Sequence, residues 1–386
     1  MRLALALSLL TTPVFAQTCG GPLPAFLDGI RAEAASMGLD AQATETVLSG
    51  AAIDPAVLKA DRSQGVFQKD FISFSRALIS QNRIDNGRVY GNRFDRTFDR
   101  IEATFGIPRG VILAFWAFET DFGQVQGNFN TRNALVTLAH DCRRPELFRP
   151  QLLAAIELTA RGGMTPSSTT GAWAGEIGQV QMLPRDIIEN GMDGDGDGGV
   201  DLKGSSPDAL MSGANVLSSL GWRANEPWLQ EVRVPANLDW AQTGLDTRKT
   251  GAEWQAMGVA ARNGEIATNL EAAVLLPMGR NGPAFLAYPN FDVYFEWNKS
   301  FVYVTTAAYF ATRLGGGPVY DAGNPTPALS GEQMQALQQK LTARGHDVGG
   351  IDGILGAKTR AAVQAEQTRL GLPADAWPTR ALLGAL

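Results

Sequence analysis

Glu119 is the side chain in this sequence best placed to do acid–base chemistry. Within Gly106–Gly123, GIPRGVILAFWAFETDFG, residues Ile112, Phe115 and Trp116 precede it by seven, four and three positions. Those intervals put them on the same face of a helix as the carboxyl. A carboxyl among aromatic rings is poorly solvated in its charged form, so its pKa rises toward the range of a general acid. Asp121 faces another way and is expected in solvent. For an isolated Glu on such a stripe, the commoner outcome is a core residue paired with Arg or backbone amides. A second set of reactive oxygens lies at Asp193-x-Asp195-x-Asp197-Gly198-Gly199-Val200-Asp201. Oxygens at positions 1, 3, 5 and 9, a Gly at the turn and the Gly199 carbonyl at position 7 match the first part of an EF-hand calcium loop. Position 12 is Gly204, so the loop lacks its bidentate Glu, for which Asp208 is a substitute further on. Asx-turns in a solvated loop are the bland alternative. Clustered like charges favour a structural Ca2+ or Na+ with Asp193, Asp195, Asp197, Gly199 and Asp201 as ligands.

Other chemistries lack their residues. The only histidines are His140 and His346, there is no H-E-x-x-H and no G-x-S-x-G, so zinc peptidase and triad hydrolase mechanisms are not supported. Both histidines read as surface or structural. The net charge of −6 lacks the basic footprint of a nucleic-acid binder. With 386 residues, 45% hydrophobic and 19% charged, the chain reads as two or three globular domains.

The elements that must position these groups are mostly helical. Apolar residues recur at helical spacing in Ala25–Met37, Thr44–Leu48, Gln64–Ser80, Val89–Phe105, Pro108–Phe122, Gln151–Arg161 and Phe301–Arg313. Leu229–Val234 is β-prone. Residues 315–330, rich in Gly and Pro, are expected to be a linker rather than a packed element. Beyond it, Glu332–Ala343 and Thr359–Leu370 are helical patterns around a Gly/Asp-rich turn. Residues 1–16, MRLALALSLLTTPVFA, read as a secretory signal peptide. In an exported chain the two cysteines, Cys19 and Cys142, read as one disulfide, with two buried thiols as the alternative.

Several ordered motifs resemble the lytic transglycosylase B family. They are Trp116-x-x-Glu119-Thr120-x-Phe122-Gly123, Gly127-Asn128-Phe129 and Ala134-Leu135-x-Thr137-Leu138-Ala139. Gly171-Ala172-Trp173-Ala174-Gly175, Gly178-x-x-Gln181, Met182-x-Pro184, Gly221-Trp222, Pro227-Trp228-x-x-Glu231-Val232 and Asn298-x-Ser300-x-x-Tyr303 follow in order. The resemblance implies a lysozyme-like, mostly α (α+β) catalytic domain over 20–314 with an additional helical subdomain. It also implies cleavage of the β-1,4 bond between N-acetylmuramic acid and N-acetylglucosamine in peptidoglycan. Glu119 would protonate the glycosidic oxygen and then accept the C6 hydroxyl proton as a 1,6-anhydro ring closes. No cofactor is implied for that chemistry. By the same resemblance Gln181, Asn298, Tyr303, Trp173 and Trp297 bind substrate. The family commonly has Ser at Ala172 and Ala at Glu176, and Tyr at Trp297, where the stacking surface is kept and a hydroxyl lost. Glu176 is expected to be a solvated loop residue.

Residues 331–386 resemble a three-helix peptidoglycan-binding domain, through Leu337-Gln338-x-x-Leu341, Asp352-Gly353-x-Leu355-Gly356-x-x-Thr359 and Gly371-Leu372. The expected setting is the periplasm, with wall or membrane association. The expected partners are glycan strands and wall-synthesis or division proteins, the expected state a monomer, with no nucleic acid. A water-using muramidase and a non-catalytic wall-binding scaffold are the rival readings.

Overall fold

The computed structural model describes residues 19–63 and 69–386. The expected signal peptide and the start of the expected Gln64–Ser80 helix lie outside them. The described chain is mostly helical and divides into two compact units.

The first unit comprises the chain up to Arg62 with Gly127–Ile177 and Leu183–Ile188. Its helices include Leu23–Ser36, Ala41–Leu48, Thr131–His140 and Pro145–Ala160. A two-residue antiparallel ladder pairs Phe129–Asn130 with Thr170–Gly171. Cys19 and Cys142 are joined as a disulfide across 123 residues of sequence. The adjacent His140 bonds through Nε2 to the Gly21 carbonyl at 2.9 Å and packs on Phe26, a structural position.

The second unit holds Glu119. Its helices include Phe71–Leu78, Gln81–Arg93, Asp95–Phe105, Arg109–Thr120, Ser206–Ser219, Pro289–Trp297 and Phe301–Leu314. The single helix expected over Val89–Phe105 is two, because Phe94 leaves helical geometry (φ −107°, ψ 28°) and lays its ring against Trp116. A five-stranded antiparallel sheet runs in the order Lys249–Thr250, Glu271–Leu275, Ala284–Ala287, Leu229–Arg233, Ala260–Ala261. One face buries Val274, Leu286 and Tyr288 around Trp254, whose indole N–H donates to the Ala272 carbonyl at 2.8 Å. From the other face Phe285 meets Phe71, Tyr309 and Tyr320. Burial on both faces makes the two central strands continuous apolar runs without alternation.

Residues 315–330 form no helix or strand and are mostly exposed, Tyr320 and Leu329 being buried. Tyr320 sits between Phe71 and Tyr309, its hydroxyl 2.8 Å from Ser75 Oγ, so one aromatic anchors the stretch. The C-terminal helices Gly331–Ala343, Ala357–Arg369 and Arg380–Ala385 enclose Leu337, Leu341, Val363 and Leu382. They dock within the same unit. Gln364 Nε2 donates to the Trp240 and Thr243 carbonyls, and Arg280 pairs with Asp375 at 3.2 Å. His346 is structural too, bonded to Glu366 at 2.8 Å.

Candidate active site

Glu119 projects from the last turn of the Arg109–Thr120 helix, which is buried along most of its length. Pro108 sits just before the first turn, where its missing N–H costs nothing, and the Arg109 N–H is taken by Glu102 Oε1 at 2.9 Å. This helix packs closely on Phe301–Leu314. At Gly110 a Cβ would lie 2.7 Å from the Ala311 carbonyl oxygen, so only glycine permits the approach.

The helix ends in an unusual way. Asp121 and Phe122 have φ of 51° and 61°, left-handed values that cost a bulky side chain about 1–2 kcal/mol. A bracket around Gln179 holds this end. Thr120 Oγ1 donates to the Gln179 carbonyl at 2.5 Å, and the Trp116 indole donates to Gln179 Oε1 at 3.1 Å. Gln179 is itself buried. Asp121 is partly solvated and also paired: Arg83 Nε donates to its Oδ1 at 3.0 Å, because the left-handed turn swings its carboxylate toward the Gln81–Arg93 helix.

Two donors converge on one oxygen of Glu119. Tyr303 Oη donates to Oε1 at 2.5 Å and Trp297 Nε1 donates to the same atom at 3.0 Å. No group among the described residues bonds to Oε2, and no cation pairs with the carboxyl. Burial raises the Glu119 pKa, and the bonds from Tyr303 and Trp297 pull against it. Burial, followed by the adjoining Glu119 charge, pushes the Tyr303 hydroxyl well above its ordinary value, so it remains a donor. Trp297 packs against Phe115 at a tilt, with ring centroids 4.5 Å apart. Its indole N–H replaces the hydroxyl that the sequence comparison counted as lost.

The other expected contacts are arranged differently. Asn298 Oδ1 accepts from the Ser300 N–H at 2.9 Å, which leaves its Nδ2 donor without a partner among the described residues. Gln181 Nε2 is spent on its own loop, donating to the Gly178 and Gln126 carbonyls, so its Oε1 alone is available. Trp173 lies half-buried in the first unit, on a loop closed by the Ala172 N–H to the Glu176 carbonyl at 3.0 Å. Glu176 is half-buried there, not fully solvated. The bracing residues Gln179 and Arg83 were not singled out from sequence. Gln179 occupies an unassigned position of Gly178-x-x-Gln181, and Arg83 lies in a helix with no apolar stripe to mark it.

In the acidic loop, carboxylate oxygens of Asp193, Asp195 and Asp197 lie within 4.8 Å of one another. Amides of Gly198 and Gly196 bond to Asp193 and hold it below the usual carboxylate range. Asp201 is outside this cluster, since its Oδ1 accepts the N–H groups of Lys203 and Gly204. Asp208 is buried beneath the loop and accepts from the amides of Gly194, Asp195 and Asp201, a clamp rather than a free ligand.

The site thus offers a single desolvated carboxyl, gripped on one oxygen and without a described partner on the other, an arrangement suited to proton donation. Residues 23–312 match the family model described as Transglycosylase SLT domain, and residues 330–386 match that of a peptidoglycan binding domain. The chain belongs to the transglycosylase SLT domain family. The SltB3 protein of Pseudomonas aeruginosa, solved in complex with NAG-anhNAM-pentapeptide, is 37% identical with a TM-score of 0.86, over 95% of this chain and 99% of that one. Slt35 of Escherichia coli, solved in complex with calcium, is 24% identical with a TM-score of 0.64, over 78% of this chain and 96% of that one, a likeness of fold. Membrane-bound lytic murein transglycosylase B of Escherichia coli (strain K12) is 25% identical over 234 residues, 60% of this chain. The match spans 63% of that relative's length. The fold is therefore lysozyme-like, and the chain is an enzyme of a family that needs no cofactor for its chemistry.

Proposed function

We propose that this chain is a lytic transglycosylase that cleaves the β-1,4 bond between N-acetylmuramic acid and N-acetylglucosamine, with Glu119 as sole acid and base. The observation that carries the reading is the asymmetry of the carboxyl. Trp297 and Tyr303 fix Oε1, so Oε2, which no described residue bonds, carries the proton. Burial raises the Glu119 pKa, which favours the protonated form that the first step needs.

The proton moves from Oε2 to the glycosidic oxygen as the C1–O bond breaks, and the N-acetylglucosamine side leaves as an alcohol. The two donors on Oε1 then stabilise the carboxylate formed, so the hydrogen bonds strengthen as charge develops. The C6 hydroxyl oxygen closes on C1, and its proton returns to Glu119. No water is consumed. Ordinary glycosidases need a second carboxylate for the nucleophile or the water, whereas this route needs one group used twice. Asn298 Nδ2, Gln181 Oε1 and the Trp297 ring supply sugar contacts. Export to the periplasm fits both the residue pattern of 1–16 and the Cys19–Cys142 bond.

The acidic loop completes the reading. Asp193, Asp195 and Asp197 offer the hard oxygens that suit calcium, and the ion would neutralise the cluster and stiffen the loop without touching the reaction.

Mass spectrometry of muropeptides released from purified sacculi tests the proposal. Anhydro products lighter by one water than their hydrolytic counterparts support it, and their loss in Glu119→Gln ties them to this carboxyl. Hydrated products would instead make the chain a muramidase.

A further inference from the structure

Asp121 and Phe122, the two residues that follow the Glu119 helix, and Gln181, one of the proposed sugar contacts, share an unfavourable backbone. Their φ values are 51°, 61° and 54°, in the left-handed region that residues with a Cβ rarely adopt. Such strain persists only where the surrounding structure over-determines it, and it gathers at functional sites. Gln179 is common to both stretches. It stands two positions before Gln181 and is bonded to the end of the Glu119 helix, within the same compact unit.

Gln179 is 5% exposed, and its bonds run in several directions. Its Oε1 accepts from the Trp116 indole and from Ser206 Oγ, both at 3.1 Å. Its Nε2 donates to the Lys203 carbonyl at 3.3 Å, and its backbone N–H donates to the Leu202 carbonyl at 2.8 Å. Its backbone carbonyl takes the Thr120 hydroxyl, whose oxygen in turn accepts the Gly123 N–H at 2.9 Å. A Cβ at Gly123 would lie 2.5 Å from Gln179 Oε1, so glycine is what lets the amide sit against the helix end. Tyr90, Phe94 and Phe122 pack around the Trp116 ring, so its indole N–H meets the Gln179 amide inside an aromatic cage. None of these bonds goes to Glu119. Gln179 reaches it through Trp116, three positions before, and Thr120, the next residue.

We propose that Gln179 is a positioning residue for the cleavage. By tying the end of the Glu119 helix and the Gln181 turn to one buried amide, it sets the aim of the carboxyl relative to the sugar that Gln181 contacts. Burying an amide is costly unless its bonds are made, so its value lies in the one geometry it permits. A side chain that only filled the core would serve as well without polar atoms. The inference rests on reading Glu119 as acid and base, and it names what holds that carboxyl in line.

The test uses two shape-conserving variants of the full chain. Gln179→Met keeps the volume and loses the amide, and Thr120→Val deletes the bond to the Gln179 carbonyl. On a defined glycan, each should lower kcat about tenfold with KM within about twofold, since a 1 Å misplacement costs up to about 10²-fold. The double variant should lose little more than either single one, because both cuts loosen the same tie. A second readout needs no turnover. Carboxyl-labelled NMR of Glu119 should show its pKa rising in both variants, as the bonds from Tyr303 and Trp297 that favour the charged form slacken. Val274→Ala, in the sheet core around Trp254, is the stability control: it should lower the melting temperature and leave kcat and the Glu119 titration unchanged. An unchanged Glu119 titration in both variants, a loss confined to KM, or a control that reproduces the kcat loss would overturn the proposal. Each result leaves the cleavage reading intact. That reading fails separately, on a wild type that releases no anhydro product, and the Glu119 titration still decides the role of Gln179.

Discussion

Tyr303→Phe removes one hydroxyl and keeps the ring that packs against Phe118. The lost bond is the 2.5 Å contact to Glu119 Oε1, while Trp297 still donates to the same oxygen at 3.0 Å. A hydrogen bond to a charged group contributes about 1.5–3 kcal/mol. That contribution is made mainly after the proton has left, when Oε1 shares the negative charge, so it acts in the transition state. Deleting it should lower kcat by roughly 10- to 100-fold with little change in KM. The pH profile adds a direction. The acid form of Glu119 is required, so the rate falls as pH rises through its pKa. Tyr303 favours the charged form, and its removal must move that fall to higher pH. Initial rates on a defined glycan across pH, with products quantified by chromatography, provide the assay. An unchanged kcat, or a fall displaced to lower pH, would mean that Tyr303 does not grip the reacting carboxyl.

Glu119→Gln should abolish cleavage and also stabilise the fold. Burial raises the folded-state pKa of Glu119 above its unfolded value. Its contribution is therefore complete below the ordinary glutamate range and is lost as pH rises through the folded value. The variant should melt a few degrees higher (~2–4 °C) than wild type at neutral pH, with the gain vanishing in acid, as read by scanning calorimetry. Cys19→Ala with Cys142→Ala reopens a 123-residue separation and should cost roughly 2–4 kcal/mol, visible as a lower urea midpoint. Millimolar calcium should raise the melting temperature of wild type. Asp208→Asn, which spoils the clamp on the Gly194, Asp195 and Asp201 amides, should shrink that rise and weaken calcium binding about tenfold by calorimetry.

The helical parts of the fold were legible because their apolar faces repeat at helical spacing. Arg109–Thr120 and Phe301–Leu314 lie within a residue or two of where pattern and caps put them. The strands Glu271–Leu275 and Ala284–Ala287 were not, since burial on both faces erases the alternation that marks a strand. Glu119 stood out because three apolar neighbours shared its face. The identity of its donors was harder to read: Trp297 and Tyr303 sit 178 and 184 residues away in sequence. A Trp in place of Tyr looked like a lost hydroxyl until geometry brought its indole N–H to the carboxyl. Composition gave no sign that Tyr320 is buried within the Gly- and Pro-rich stretch 315–330.

The docking of the last three helices has a consequence for how the protein works on a wall. Because Gln364, Arg360 and Asp375 bond to the Trp240, Thr243 and Pro277 carbonyls and to Arg280, the C-terminal module does not swing out and fish for polymer at a distance. Whatever it grasps is held at one bearing from Glu119, set when the protein folds. Capture and cutting then share a fixed ruler, and lengthening the segment beyond Asp321 would leave the reach of the enzyme nearly unchanged while the docked face holds.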